Sequence, residues 1–119
     1  MAENLRRRQF SRAAVSLAAQ FKIENDSATS VSHEGEIVDL GEGGMRLVSR
    51  SHAPARSTVR VGFKVPGNPR DIRARGRVVL SFYSAPEDKY HHGVAFTSID
   101  REDRETIAEF VETQTAHQA

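Results

Sequence analysis

An all-β domain ending in one helix is what this sequence predicts, with about six strands forming a small antiparallel barrel or sandwich. Three observations carry the prediction. Apolar residues recur at every second position in several runs, and these runs are separated by turns rich in glycine and proline. The period then changes: from Asp100 onward, Arg104, Ile107, Phe110 and Val111 fall at helical spacing with charges between them. Finally, 119 residues, of which 38% are hydrophobic and 28% charged, suffice for one soluble core and are too few for two.

The elements follow in order. In residues 13–23, Val15, Leu17, Ala19, Phe21 and Ile23 share one parity, while Ser16, Gln20 and Lys22 take the other, so the run is a strand with one buried face. Asn25 to Ser30 is small and polar and reads as a loop. Residues 31–38 lead a second strand into Asp39. A glycine turn, Asp39-Leu40-Gly41-Glu42-Gly43-Gly44, then passes to the strand Met45-Arg46-Leu47-Val48. Three glycines in four positions predict a tight turn using positive φ. Ser51 to Ser57 is a connection, and Thr58 to Val65 alternates as a strand. Pro66-Gly67-Asn68-Pro69 is a turn. Asp71 to Tyr83 is a long strand in which Ile72, Ala74, Gly76, Val78 and Leu80 share the apolar parity. Ser84 to Asp88 turns the chain, and Tyr90 to Phe96 is the last strand. Asp100 is the expected N-cap of the helix, with Asp103 at its third position.

Composition excludes several function classes. There is no cysteine, hence no disulfide, iron–sulfur cluster or thiolate zinc site; the usage fits a cytoplasmic protein. No apolar run reaches the roughly 18 residues of a membrane helix, so no membrane insertion is expected. A net charge of +1, with six phenylalanines, two tyrosines and no tryptophan, disfavours a DNA- or RNA-binding domain. His91 and His92 are adjacent on a strand and point to opposite faces, so they cannot share a metal. No Ser/His/Asp or Cys/His set suggests catalysis; an enzyme is not expected, and neither is a cofactor.

One local feature departs from this balance. Arg6, Arg7, Arg8 and Arg12 fall within seven residues ahead of the first strand. Guanidinium groups are planar donor forks suited to phosphate oxygens and to the O6/N7 edge of guanine. Taken alone, the cluster also reads as a solvated basic tail.

The pieces together resemble the PilZ domain, a bacterial receptor module for cyclic di-GMP. Two motifs carry the resemblance. The family's Arg-x-x-x-Arg appears as Arg8-Gln9-Phe10-Ser11-Arg12, preceded by Arg7. Its Asp/Asn-x-Ser-x-x-Gly appears as Asp39 through Gly44. Gly93-Val94-Ala95-Phe96, then Ile99-Asp100 and a helix, look like the family's closing strand and C-terminal helix. The likeness spans roughly residues 6–112. It implies a six-stranded antiparallel split β-barrel (residues 13–112, terminal helix included). It also implies a flexible arginine-rich switch segment at 1–12 and a frayed tail at 113–119.

The resemblance further implies a ligand site. Arg7, Arg8 and Arg12 would hold the phosphates and guanine edges of cyclic di-GMP. Asp39 would accept from guanine N1–H and N2–H₂, and Gly41, Gly43 and Gly44 would let backbone approach the ligand. Arg46 is a secondary contact. Structural readings run beside these: Asp39 as a turn cap, the glycines as a plain hairpin, and Arg73, Arg75 and Arg77 as a solvated strand face. One departure matters, since the motif serine is Gly41 here. Losing a neutral hydrogen bond costs about 0.5–1.5 kcal/mol, roughly 2- to 12-fold in affinity. The resulting expectation is a monomeric or weakly dimeric receptor that changes its N-terminal conformation and signals to a downstream protein partner. The alternative is an adaptor of the same fold that binds no nucleotide.

Overall fold

The computed structural model describes residues 12–24 and 31–118. Its elements are β1 (Arg12–Glu24), β2 (Ser32–Gly41), β3 (Gly44–Ser49), β4 (Thr58–Phe63), β5 (Ile72–Ser84), β6 (Lys89–Ile99) and α1 (Arg101–Gln118). The six strands close into one antiparallel barrel in the order β1-β2-β3-β6-β5-β4. Closure rests on the length of β1. It pairs with β2 from Arg12 to Lys22 and with β4 from Ala19 to Glu24, so its second half has a neighbour on each side. The sequence left barrel and sandwich open until the family resemblance favoured a barrel, and the β1–β4 pairing is what makes it one.

The alternating residues fill the interior as their parity predicts. Leu17, Ala19 and Phe21 of β1, Val59, Val61 and Phe63 of β4, and Ile72 and Val78 of β5 are all buried in one core. Ile107 and Val111 of α1 join that core. Asp100 precedes the helix as expected, and its carbonyl accepts from Arg104 N–H at 2.9 Å. Asp103 serves the tertiary structure rather than the cap. It is buried, its Oδ1 accepts from Arg70 Nε–H at 2.7 Å, and its Oδ2 accepts from Arg73 N–H at 3.4 Å. The helix start is thereby pinned to the β4–β5 turn. That turn forms at Pro66-Gly67, with Asn68 N–H donating to Val65 O at 3.2 Å and Gly67 at φ 85°. α1 extends beyond residue 112 to Gln118.

Two expectations need correction. The glycine turn does not use positive φ: among the described residues the glycine in the left-handed region is Gly67. β2 runs through Gly41 and β3 begins at Gly44, so the turn itself is Glu42-Gly43. Gly44 is instead required by close approach, since a Cβ there would lie 2.1 Å from Val94 O. The second correction concerns β5. Leu80 shares the parity of Val78 but is about half exposed. The register slips between Val78, opposite Val94, and Leu80, opposite Gly93, and this bulge turns Leu80 outward.

His92 is a structural residue that the sequence reading passed over. It is fully buried; its Nε2 accepts from Ala53 N–H and its Nδ1 bonds Leu47 O, both at 3.0 Å. A carbonyl only accepts, so Nδ1 carries the proton and the ring is neutral. Burial pushes its pKa below the usual value of 6.5, against a smaller opposing effect of the Leu47 carbonyl. Parity was the available signal, because His92 lies two residues before buried Val94.

A stability slope follows. The unfolded chain binds a proton near pH 6.5 that the buried ring resists, so the His92 contribution is complete above that pH and declines as pH falls below it. Urea unfolding at about pH 7.5 and about pH 5.5 should show this loss, and His92→Gln should flatten it. His92→Ala should cost about 3 kcal/mol at neutral pH, because Ala53 N–H and Leu47 O lose their partner and a cavity opens.

Candidate functional site

The outer surface of β1, β2 and β3 gathers the described motif residues. Their placement depends on an irregularity in β2. Ile37 and Leu40 both face the core although they are three apart, and the β2–β3 register slips between Ile37 and Asp39. The extra residue reverses the alternation, so Asp39 points outward, its side chain 37% exposed. Regular pleating from Ile37 would have put a carboxylate in the barrel, at a large desolvation cost.

Arg12 reaches Asp39 from the first residue of β1. Its Nε lies 3.1 Å from Asp39 Oδ2, in an ion pair whose members are both well exposed. Ala14 sits directly opposite Asp39 on β1, and Arg46 sits directly opposite it on β3. Arg46 in turn faces Gly93 on β6. The row Ala14, Asp39, Arg46, Gly93 therefore sets the carboxylate beside Arg46, and Arg12 reaches it from outside the row. Gly41 is buried at the end of β2, across from Arg12 on one side and Gly44 on the other. Gly43 holds the turn to the wall, since its carbonyl accepts from Phe96 N–H at 2.9 Å. The sequence-predicted residues Arg12, Asp39, Gly41, Gly43, Gly44 and Arg46 thus share one region. Of the expected switch segment 1–12, Arg12 is the first residue of β1, and residues 1–11, Arg7 and Arg8 among them, lie outside the described residues.

The other arginine row has different surroundings. Arg75 is bound by Glu24, with Nη2 to Oε1 at 2.8 Å, and Arg60 pairs with the same carboxylate. Hydrogen bonds from Arg75, then Arg60, hold the Glu24 pKa below the usual carboxylate value. Glu24 offsets part of the charge of this face. Beside it, Gln20, Lys22, Gly62 and Arg73 line an open depression of about 640 Å³ on the side of β1 away from Asp39. Among the described residues, no group of three or more histidines and acidic residues is placed to hold a metal. None of their helices is long and apolar enough to cross a membrane.

Comparison with known proteins agrees with this architecture. A search of curated proteins found no match. Among solved structures, the chain is similar to the Bacillus subtilis inhibitor of motility MotI/DgrA, with a TM-score of 0.77 at 14% identity. That match covers 92% of this chain and 52% of the Bacillus protein, so the chain spans about half its length. It is also similar to the PilZ domain of YcgR from Escherichia coli, solved with c-di-GMP, with a TM-score of 0.64 at 10% identity and 94% of each chain covered. At these identities the structures establish the fold alone. The sequence itself matches the PilZ domain model over residues 6–113, and with that span covered the chain belongs to the PilZ domain family.

Proposed function

We propose that this protein is a receptor for cyclic di-GMP that folds its N-terminal arginine segment over the ligand and presents the changed surface to a partner protein. The observation that carries the reading is the outward carboxylate of Asp39 paired with Arg12 at 3.1 Å, at the point where the arginine segment enters β1. An exposed pair of this kind contributes about 0–1 kcal/mol and is readily exchanged. A guanine supplies what the exchange needs. Its N1–H and N2–H₂ edge replaces the guanidinium at Asp39, and its O6/N7 edge or the ligand phosphates engage the released Arg12. Arg7 and Arg8 add charge against the two phosphates. Arg46 flanks the same carboxylate. Closure of the segment is an order–disorder step whose energy comes from ligand contacts that the free protein lacks. Family membership and the cyclic di-GMP held by the YcgR PilZ domain support the same ligand class.

A second reading rests on Gly41, which stands where the family motif has serine. On that reading the same surface is a protein-docking face with no nucleotide.

Calorimetric titration with cyclic di-GMP separates the two. Binding is expected at micromolar ligand, with Arg8→Ala and Asp39→Ala each lowering affinity at least about tenfold, because each removes a charged hydrogen-bond partner. Gly41→Ser is expected to raise affinity by roughly 2- to 12-fold. Absence of heat at tens of micromolar folded protein would overturn the receptor reading. A large gain on Gly41→Ser from near zero would favour the adaptor.

Asp39→Ala should change unfolding free energy by less than about 1 kcal/mol in a urea titration, since its partner is exposed. Its effect on binding is then not an effect on folding.

A further inference from the structure

We infer that the outer half of β5, Val79 to Ser84, is a docking edge for a second copy of this chain. The argument is independent of the nucleotide. β4 pairs with β5 over Ile72–Arg77 and no further. The connection ahead of β4 adds two bonds at Val78: Arg56 N–H donates to Val78 O at 2.7 Å, and Val78 N–H donates to Ser57 O at 2.9 Å. Arg56, at φ 78° in a turn from Pro54 to Ser57, then leads that connection away. From Leu80 to Ser84 the strand has β6 on one side, and among the described residues no strand pairs with its other edge. Proteins ordinarily guard such an edge with lysine or proline, and residues 79–84 contain neither.

The large side chains on this edge are exposed and mainly apolar, with the Tyr83 hydroxyl donating to Asp88 Oδ1 at 2.6 Å. Val79, Leu80, Phe82 and Tyr83 are 62%, 49%, 43% and 49% exposed. The bulge at Val78/Leu80 is the cause, because it turns Leu80 out beside Val79 and keeps Phe82 on the same outer face. His91 stacks on Phe82 with ring centroids 5.0 Å apart and holds that ring in place. Two buried side-chain polar atoms lack a partner among the described residues, Ser81 Oγ and His91 Nδ1, and both lie in this ribbon. An incompletely satisfied, apolar, unpaired edge is what an interface looks like with one side missing.

Self-complementarity argues for a second copy. Antiparallel pairing about a two-fold axis at Ser81 sets Leu80 of each copy opposite Phe82 of the other on the outer face, and a small residue meets itself at the axis. The four side chains bare on the order of 400 Å² per copy, about 800 Å² for two, and the paired backbone brings the total to the low end of specific interfaces. A weak, reversible dimer follows.

Sedimentation equilibrium of the full chain, from micromolar to millimolar, tests this. The expected result is a monomer–dimer equilibrium with a dissociation constant in roughly the tens to hundreds of micromolar. Phe82→Glu and Leu80→Lys should each weaken it at least about tenfold, and Lys22→Glu on β1 should leave it unchanged. Amide NMR shifts of the unaltered chain should move with concentration at residues 79–84, a readout that requires no variant. Raising salt from about 0.05 to 0.5 M should not weaken an apolar association, whereas one driven by the charged faces would dissociate. A monomer at millimolar concentration overturns the inference. So does a dimer that salt disrupts, or one that both β5 variants leave intact.

Discussion

Asp39 faces solvent because two residues, not one, lie between the core positions Ile37 and Leu40. The candidate site depends on that extra residue. It puts a carboxylate on the outer surface within reach of Arg12 and opposite Arg46, while both flanking apolar side chains stay in the core. A bulge is an economical means to this end, because it re-aims one side chain without altering the strands around it.

The surface so created is rigid on one side and exchangeable on the other. β3 lies so close to β6 that Gly44 has no room for a side chain, and His92 ties β3 to the β3–β4 connection through two hydrogen bonds. Asp39 and Arg46 stand on this wall. Arg12 pairs with Gly41 through the β1–β2 ladder, while its guanidinium is held to Asp39 by one exposed ion pair, which water screens.

A second bulge shapes the opposite end of the same row. Leu80 lies across from Gly93, which lies across from Arg46, which lies across from Asp39. The polar site and the apolar edge are therefore neighbours on one continuous sheet, each made by an added residue that reversed the pleat.

Much of this was legible in the chain. Period-two runs named the strands, the Pro66-Gly67 signal named its turn, and the change of period after Asp100 named the helix. Arg12 and Arg46 with Asp39 and its glycines fall on one region of the barrel. Each of these is a local property: a pleat alternates, a helix repeats every 3.6 residues, and proline and glycine constrain their own backbone. What the sequence did not determine was set by partners distant along the chain. Leu80 looks like core until the register against Gly93 turns it out. Gly44 looks like a left-handed turn residue until Val94 O is found where its Cβ would be. His92 is legible only as pointing away from His91 until Leu47 O and Ala53 N–H claim both of its nitrogens. Alternation determines which residues share a face. Where a strand gains a residue relative to its neighbour, and therefore which face is outside, is decided by closing six strands around a single core.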